Sequence, residues 1–369
     1  MRVLHVHSGN LYGGVETFLA TLSRCREMTP SMEMAVALSF DGAIGRELRA
    51  AGVDTPLVGE VRLRRPDTVW RARQVLAGLL DRERFDVAVC HQAWPLAIFG
   101  PAVKAAGVPL VSWVHMAQTG RHWLDRWARR VQPDCFIVNS RFTASVLPPT
   151  TARVETVYYP VQQSVETTRS REVMRRELET PANDVVIIQV SRLESWKGQT
   201  VCLEALGKLR AQSGWTCWQV GGAQRPAEAR YLQSLRADAA RLGIADRVRF
   251  LGQRADVRSL LAASDVFCQP NIEPEPFGIS FIEALGAGLP VVATAIGGAL
   301  EIIDEGCGVL LPARDCGALA STLGRLMDDQ RERARMGRAG PARARSLCDP
   351  RAQMQRIAAL LEDVSCRVR

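Results

Sequence analysis

Residues 270–294 read PNIEPEPFGISFIEALGAGLPVVAT, and this stretch predicts a strand end, a stiff loop, a short helix and a second strand. The apolar run 266–268 just before it is followed by a glutamine and a proline, so the first strand ends there. Pro274 and Pro276 restrict the loop backbone and carry no N–H, which holds Glu275 extended just ahead of the helix.

The short helix places two glutamates at the carboxyl edge of a predicted sheet. It is expected to begin near 277–278, to bury one apolar side and to end at the glycines of 286–288. Residues 289–294 then form the next buried strand. Glu275 and Glu283 therefore bracket a helix N-terminus, where unpaired N–H groups and the helix dipole favour an anionic ligand. Open parallel sheets bind their ligands at this edge.

The two glutamates have seven residues between them and are set in EPFGISFIEALGAGLPVVAT. This pattern resembles the donor-sugar signature of retaining glycosyltransferases of family 4, which have the GT-B fold. The resemblance implies an α/β protein with two Rossmann-like, doubly wound parallel-sheet domains facing a cleft, and a C-terminal helix that crosses back to the first domain. It also implies transfer of a hexose-type sugar from a nucleotide diphosphate sugar to a glycan, lipid or small-molecule acceptor. A UDP-sugar is favoured as the donor, and a GDP-sugar is the other candidate.

Length and composition agree with a two-domain globular protein. The chain has 369 residues, 47% of them hydrophobic, and its net charge of +8 is too modest for a nucleic-acid-binding tail. Its ten cysteines contain no C-x-x-C pair, and Cys90, Cys135 and Cys268 lie in apolar runs, which predicts buried free thiols and a reducing cytoplasm. Neither a secretory segment nor a run of 18 apolar residues is present. We expect a cytoplasmic protein, with peripheral contact at the inner membrane face as an alternative.

Strand and helix patterns alternate along both halves, which is typical of parallel βαβ units. The expected domains are an acceptor-binding domain at 1–162, a donor-binding domain at 163–349 and a returning C-terminal helix at 350–369. The polar stretch 162–184 is interpreted as the link between the domains. Strands are predicted at 2–7, 34–39, 86–90, 109–114, 135–138, 185–190, 216–220, 248–251, 266–268 and 289–294. Helices are predicted near 14–26, 43–51, 67–81, 95–106, 121–130, 141–146, 226–242 and 350–363.

The first domain contains a glycine-rich turn between its first strand and first helix. Gly13 and Gly14 let the backbone approach a phosphate, with a helix N-terminus behind it, although a purely structural turn explains the pair equally well. In the resembled family the matching glycines lie near the donor diphosphate. The nearby His5 and His7 share one strand face and are interpreted as structural, because no acidic or thiol partner is evident from the sequence.

His115 follows a predicted strand directly, where a lone histidine is usually a capping or core residue. The resemblance reverses this interpretation, because family members have a histidine at the matching position next to the reacting sugar carbon. The resemblance also indicates acceptor contacts from first-domain loops, with Glu16, Asn139 and His122 as candidates. The basic stretch 121–130, with two tryptophans four residues apart, is either an ordinary half-buried helix or a peripheral membrane contact.

The second domain carries the candidate donor site. Arg192 and Lys197 lie five residues apart on a strand-to-helix loop, where an arginine fork and a lysine point charge can share one anion. With Gly198 they match the family's R-x-x-x-x-K-G diphosphate clamp. The resemblance assigns the nucleobase to backbone groups at Gln253 and Arg254. The donor-binding residues also include the helix start at Phe277, Gly278, Ile279 and Ser280.

The predicted chemistry uses protein cations to stabilise the leaving diphosphate. Arg192, Lys197, His115 and Glu275 are the candidate catalytic residues. Glu275 is expected to bind sugar hydroxyls and Glu283 the ribose hydroxyls, because a carboxylate accepts two such hydrogen bonds. No Asp-x-Asp motif stands in the loops, so neither a metal nor another cofactor is expected. With no nucleophilic carboxylate evident near His115, a front-face mechanism is favoured over double displacement.

Two alternatives share the same fold and motifs. A nucleotide-sugar 2-epimerase would act on the donor alone, and a non-catalytic protein would bind the nucleotide sugar without turnover. Nucleic-acid binding requires a basic stripe with aromatic residues, and only 121–130 resembles one. Acceptor identity, sugar, linkage and oligomeric state stay open at this stage.

Overall fold

A computed structural model describes residues 1–10, 13–118, 120, 122–162 and 169–368 of the protein. The chain divides into two compact units. The first contains Met1–Gln162 together with Cys348–Arg369, and the second contains Gln163–Leu347. Each unit is built on one parallel six-stranded sheet with helices packed around it. The predicted doubly wound fold is therefore confirmed.

The first sheet has the strand order β2-β1-β3-β4-β5-β6, with every pairing parallel. Its direction of winding reverses between the adjacent strands β1 and β3, and ligands of open α/β sheets bind at such a switch point. The strands are β1 Arg2–His7, β2 Glu33–Leu38, β3 Val87–His91, β4 Leu110–Val114, β5 Cys135–Val138 and β6 Arg153–Thr156. The helices are α1 Gly14–Cys25, α2 Ala43–Ala50, α3 Pro66–Arg82, α4 Ala93–Ala105, α5 Trp123–Ala128 and α6 Arg141–Ser145.

The second sheet has the order β12-β11-β10-β7-β8-β9 and is also parallel throughout. Here the winding reverses between β7 and β10, and open α/β sheets bind ligands in the crevice at the carboxyl ends of two such neighbouring strands. The strands are β7 Val185–Val190, β8 Trp215–Val220, β9 Val248–Gly252, β10 Val266–Gln269, β11 Val291–Thr294 and β12 Gly308–Leu311. The helices are α7 Arg171–Glu177, α8 Gln199–Lys208, α9 Pro226–Arg241, α10 Val257–Ala262, α11 Ile279–Gly286, α12 Ala299–Ile302, α13 Cys316–Asp328 and α14 Gln330–Cys348.

The last helix, α15 Pro350–Val368, belongs to the first unit, where it packs against α1. The central strands of both sheets are buried on both faces because helices cover each side, so they read as continuous apolar runs. Trp113 in β4 and Trp218 in β8 are fully buried. All ten cysteines are free thiols, and the three predicted to be buried are buried.

Several elements were missed by the sequence prediction, among them the helices α10, α13 and α14. The edge strand β6 was missed because its residues are partly exposed and alternate charged with apolar side chains, which leaves only a weak hydrophobic signal. The four-residue strand β12 was also missed. The stretch interpreted as a polar link contains helix α7, whose buried Arg175 pairs with Asp265 at 2.5 Å. Positions 163–168 of that stretch lie outside the described residues.

Candidate functional site

The switch point of the second sheet brings together two of the loops singled out from the sequence. The loop after β7 carries Arg192 and Lys197, and the loop after its neighbour β10 carries Glu275. The structure therefore unites residues that are separated by about eighty positions in the chain. Lys197 and Glu275 form an ion pair whose side chains are each only 12% exposed.

Buried amides and a glycine fix the loop after β7. Gln189 of β7 donates from Nε2 to the Lys197 carbonyl at 2.8 Å, and Gln199 of α8 donates to the Arg192 carbonyl at 2.9 Å. Gly198 has a φ of +75°, and a Cβ there would lie 1.8 Å from the carbonyl oxygen of Pro270. No side chain fits at that position, so the glycine of the predicted clamp is required for the two loops to approach each other.

Glu275 is the centre of a polar cluster. Its Oε2 atom pairs with Lys197 and accepts hydrogen bonds from Asn271 Nδ2 at 3.1 Å and, more weakly, from Gln269 Nε2 at 3.4 Å. The ammonium of Lys197 also lies 4.0 Å from the centre of the Trp196 ring, a cation–π distance. The pair is held in a defined position, and the ammonium has three donors, so it can serve a phosphate while contacting Glu275.

Arg192 is placed on the same loop but is less enclosed. Its side chain is 41% exposed, and Nη2 lies 3.1 Å from the carboxylate of Glu194. Trp196 donates from Nε1 to the same carboxylate at 3.0 Å. The guanidinium is therefore an exposed group with a weak local partner, which a phosphate oxygen can replace at little cost.

The N-terminus of α11 lies beside Glu275. The helix begins at Ile279, and the first-turn N–H groups of Ile279 and Ser280 have no partner inside the helix. Gly278 has a φ of +105°, and a Cβ there would collide with the Phe281 ring at 2.3 Å. Gly298 donates its N–H to the Glu275 carbonyl at 2.7 Å, which locks the preceding loop. The predicted helix and its approximate start are thus present, with Phe277 almost fully buried.

Glu283 lies on α11, half-buried, and burial raises its pKa from 4.5 to about 7 despite the opposing effect of Arg258. Its carboxylate has no hydrogen bond or ion pair within the described part of the chain. A carboxylate in this state gains from hydroxyl donors, because they supply the hydrogen bonds that burial removes.

The raised pKa of Glu283 makes stability depend on pH. A carboxyl group whose pKa is higher in the folded than in the unfolded state binds more protons when folded, so the contribution of Glu283 to the free energy of unfolding falls as pH rises from 4.5 to about 7. For a half-buried group we expect a change on the order of 2 kcal/mol. Urea unfolding at pH 5 and pH 8 measures the difference in the free energy of unfolding. In Glu283→Gln this difference should be smaller by the contribution of the carboxyl group. An unchanged pH dependence in the variant would contradict the assignment.

The loop after β9 also approaches the carboxyl ends of the strands of the second sheet. Cβ atoms at Gly221 and Gly222 would lie 2.0 Å from Ser191 O and 2.9 Å from Gln253 N, so this glycine pair allows the loops after β7, β8 and β9 to meet. Arg254 forms two hydrogen bonds with Asp256, at 2.8 and 2.6 Å, which raise the pKa of the guanidinium. The Arg254 side chain is therefore paired with Asp256, and the contact with a nucleobase predicted for this residue concerns its backbone groups.

In the first unit, Gly13 precedes α1 and Gly14 begins it. A Cβ at Gly14 would meet no atom within 4 Å. The Glu16 carboxylate accepts from Gly13 N at 2.9 Å and contacts His7 Nε2 at 2.7 Å, and these contacts lower its pKa against the effect of burial. The interpretation of His7 as lacking an acidic partner was wrong, because the partner comes from the helix that follows its own strand.

His115 lies directly after β4 and is almost fully buried. Its Nδ1 atom is 2.5 Å from the hydroxyl of Tyr159, and its Nε2 atom is 2.8 Å from Nδ1 of His91. Asn139 donates from Nδ2 to the His115 carbonyl at 3.1 Å and to the Tyr159 hydroxyl at 3.0 Å. Both ring nitrogens of His115 have partners within the first unit, so direct contact with a ligand requires replacing one of these bonds.

His91 and Tyr159 were not singled out from the sequence. A histidine at the end of β3, next to strands that also end near histidines, is the signal that could have indicated them. Of the acceptor candidates, Asn139 and Glu16 are buried, whereas His122 is exposed and accepts a 3.3 Å hydrogen bond from Leu124 N at the start of α5. The structure does not bring these three residues to one exposed surface.

An apolar groove of about 430 Å³ lies between α3 and α5 of the first unit. Trp70 and Trp123, which line it, are 64% and 49% exposed. The helix predicted at 121–130 is shorter, and Arg121 lies outside the described residues. Exposed arginines lie within or next to these two helices along the chain, at Arg62, Arg64, Arg65, Arg71, Arg126, Arg129 and Arg130, and three of them pair with Glu60 or Asp67.

The described residues contain neither a group of three or more histidine, cysteine, aspartate or glutamate side chains arranged to hold a metal ion nor a helix with the length and apolar character needed to cross a bilayer.

Comparison with known families accounts for both units. The family described as Glycosyltransferase Family 4 matches residues 12–162, and the family described as Glycosyl transferases group 1 matches residues 170–343. The chain is a family 4 glycosyltransferase. The glycosyltransferase has the GT-B fold, as the resemblance implied.

Two curated relatives indicate the range of activities among similar proteins. One is the D-inositol 3-phosphate glycosyltransferase of Salinispora tropica, 32% identical over 294 residues, which make up 75% of this chain but only 59% of the relative. The other is a GDP-mannose-dependent α-(1-6)-phosphatidylinositol monomannoside mannosyltransferase of Mycolicibacterium smegmatis. It is 28% identical over 90% of this chain and 89% of its own length.

Among solved structures, HepE of Anabaena in complex with UDP and glucose superposes with a TM-score of 0.86. It is 26% identical to the glycosyltransferase, and the alignment covers 98% of this chain and 100% of HepE. The same protein in complex with UDP-glucose gives the same TM-score.

Proposed function

We propose that this glycosyltransferase moves a hexose-type sugar from a nucleotide diphosphate sugar to a glycan, lipid-linked or small-molecule acceptor, with retention of anomeric configuration. The observation that carries the proposal is the Lys197–Glu275 pair at the switch point of the second sheet, beside the exposed Arg192. A UDP-sugar is the favoured donor because HepE binds UDP and glucose. The GDP-mannose-dependent relative supports a GDP-sugar as the second candidate.

Each part of the nucleotide sugar has a proposed protein partner of matching chemistry. Arg192, Lys197 and the first-turn N–H groups of α11 stabilise the diphosphate, since they concentrate positive charge and donors where negative charge develops. Glu275 accepts from sugar hydroxyls, and Glu283 accepts from the ribose. The backbone at Gln253 and Arg254 contacts the base, and Gly13 and Gly14 leave room for the phosphates.

The proposed reaction is a front-face substitution. The bond between the sugar C1 and the β-phosphate oxygen breaks while the acceptor oxygen bonds to C1 from the same side. The acceptor proton passes to the departing phosphate oxygen. His115 contributes a neutral imidazole next to the oxocarbenium-like sugar, because burial and neighbouring histidines hold its pKa well below the usual range. Trapping of a covalent glycosyl-enzyme on a carboxylate would contradict this mechanism.

A donor panel tests the proposal. UDP- and GDP-sugars are incubated with and without candidate acceptors, free nucleotide is measured, and NMR follows the anomeric configuration of any product. Acceptor-dependent nucleotide release with retention supports the proposal. Conversion of the donor to an epimer without acceptor would identify a 2-epimerase instead, and saturable binding with no turnover across the panel would identify a binding protein.

The proposed reaction requires no metal, because two protein cations take the place of a divalent ion at the diphosphate. We therefore expect EDTA to leave kcat and KM unchanged within about twofold, and added Mg²⁺ or Mn²⁺ to give no increase after exhaustive dialysis against the chelator. Loss of activity with EDTA that is restored by one divalent ion would show that a metal is part of the site.

The groove between α3 and α5 supports peripheral contact with an anionic membrane surface. Exposed tryptophans provide an interfacial anchor, and an arginine close to acidic lipids contributes about 1 kcal/mol of attraction. Sedimentation with vesicles of phosphatidylcholine, with and without phosphatidylglycerol, tests this. Binding should need the anionic lipid, weaken with salt and fall in Trp70→Ala/Trp123→Ala. Equal sedimentation of that variant would contradict the proposal.

The free thiols agree with a cytoplasmic location.

A further inference from the structure

Three histidines from neighbouring strands of the first sheet form one hydrogen-bonded chain. His5 of β1 meets His91 of β3, with Nδ1 and Nε2 2.9 Å apart, and His91 Nδ1 lies 2.8 Å from Nε2 of His115 beyond β4. His5 and His91 are fully buried, and successive rings are nearly coplanar, with interplanar angles of 23° and 22° and centroids 5.1 Å apart at each step. This hydrogen-bonded chain of histidines crosses the β1–β3 switch point, where ligands of open α/β sheets bind.

Tyr159 and Asn139 close the chain at the His115 end. Thr143 donates from Oγ1 to Asn139 Oδ1 at 2.7 Å, which orients the amide so that its Nδ2 donates to the Tyr159 hydroxyl. The hydroxyl in turn lies 2.5 Å from Nδ1 of His115, and because its oxygen already accepts from Asn139, its own proton is assigned to this contact. Tyr159 therefore donates to His115 Nδ1, and in a neutral imidazole the proton must then be on Nε2.

That assignment passes from ring to ring. His115 Nε2–H donates to His91 Nδ1, so His91 also carries its proton on Nε2 and donates to His5 Nδ1. His5 then has an Nε2–H group, and this atom is buried without a hydrogen-bond partner among the described residues. In the described part of the protein no polar group at the His5 end favours a proton on either ring nitrogen, so the tautomer that the three histidines share is set at Tyr159.

We propose that Tyr159, His91 and His5 are positioning residues that act as one tautomer-coupled unit and hold His115 as the neutral Nε2–H form for glycosyl transfer. The proposal rests on the function proposed above, in which His115 lies beside the reacting sugar. A ring fixed in this way presents no net charge to an oxocarbenium-like sugar. It also anchors the His115 main chain, whose carbonyl is already held by Asn139.

Burial and mutual repulsion support a neutral chain. Burial lowers the pKa of His5 to about 4 and the pKa values of His91 and His115 well below the usual range, with the neighbouring histidines adding to the effect on the latter two. The remaining buried histidine, His7, is paired with Glu16 and meets His91 only edge-on, at 6.3 Å between ring centres. The Glu16 carboxylate therefore interacts with His7 and is not part of the hydrogen-bonded chain of histidines.

The first test is a spectroscopic one that does not require an active enzyme. The protein has five histidines, so imidazole ¹⁵N spectra of the full chain can be assigned by single substitutions. The wild type should show a pyridine-like Nδ1 and a pyrrole-like Nε2 at His115, His91 and His5. Tyr159→Phe should change the nitrogen signals of His5, at the far end, as well as those of His115. A change confined to His115, or a wild-type mixture of tautomers, would overturn the proposal.

The second test separates positioning from simple packing. His91→Gln keeps one donor and one acceptor, whereas His91→Phe keeps the aromatic volume and breaks the chain. We expect His91→Phe to lower kcat on the order of tenfold with little change in KM, the size seen when outer hydrogen-bond partners of metal-bound histidines are removed. His91→Gln should restore most of the rate. Ser112→Ala, a buried β4 residue facing the other side of the sheet with no hydrogen-bond partner, is the folding control.

The two hypotheses fail in different ways. If no donor supports transfer while Tyr159→Phe still alters the His5 signals, the tautomer coupling stands and the proposed function fails. If transfer is observed but His91→Phe and His91→Gln lose the same fraction of kcat, the coupling fails and the function stands.

Discussion

Replacement of Lys197 by alanine is expected to lower kcat by about a hundredfold or more. The ammonium is proposed to stabilise the charge that develops on the leaving diphosphate, and removal of one preorganised donor of this kind costs about 3–4 kcal/mol in other enzymes. The effect should appear mainly in kcat, because the charge grows as the bond to the sugar breaks. Initial rates of nucleotide release over a range of donor concentrations measure it.

The Lys197 variant also disturbs a buried ion pair, so its stability must be measured alongside its rate. Removal of one partner leaves Glu275 without its counter-charge, although Asn271 and Gln269 still donate to it. A lower melting temperature with an intact fold is compatible with the proposal. Lys208→Ala removes an exposed lysine at the end of α8 and is the matched control. A Lys197→Ala enzyme with more than a third of the wild-type kcat would contradict the assigned role.

Replacement of Glu275 by glutamine is expected to remove recognition of the sugar while leaving recognition of the nucleotide. The carboxylate is proposed to accept two hydroxyl hydrogen bonds, and glutamine keeps only one acceptor oxygen. A bond to a charged acceptor contributes about 1.5–3 kcal/mol, so loss of one should lower donor affinity about ten- to a hundredfold. Affinity for free UDP should change by less than about threefold. Calorimetric titration with UDP and with the donor sugar separates the two effects.

Glu273, exposed on the same loop, offers a matched control for this variant. Glu273→Gln removes the same charge from the same loop without touching the buried cluster, so it should bind both ligands like the wild type. If Glu275→Gln weakened UDP and the UDP-sugar equally, the residue would act on the nucleotide or on the fold instead of on the sugar.

The sequence predicts the residues that meet at the switch point of the second sheet better than those that meet in the first unit. Arg192, Lys197, Gly198 and Glu275 lie in short motifs whose spacing carries their geometry, because a strand-to-helix loop of fixed length leaves few arrangements. These motifs do not indicate how the loop after β7 contacts the loop after β10. The requirement for Gly198 against Pro270, and the pairing of Lys197 with Glu275, follow from the adjacency of β7 and β10, which depends on the strand order.

The histidine chain could not be derived from the sequence for a similar reason. His5, His91 and Tyr159 are far apart along the chain, and each is ordinary in its local pattern. Their contacts depend on which strands pair in parallel and in which register, and no short-range signal encodes that. Edge strand β6 and helix α7 were missed for a different reason, since both are partly exposed and weakly apolar.

The proposed donor site holds a diphosphate at the loop after β7 and the start of α11. A crystal structure of the protein with a UDP-sugar or GDP-sugar tests this most directly. We expect both phosphates within hydrogen-bond distance of the Lys197 ammonium and the Arg192 guanidinium, with the sugar hydroxyls on Glu275. A nucleotide sugar bound at another place, with those two cations directed away from it, would contradict the account.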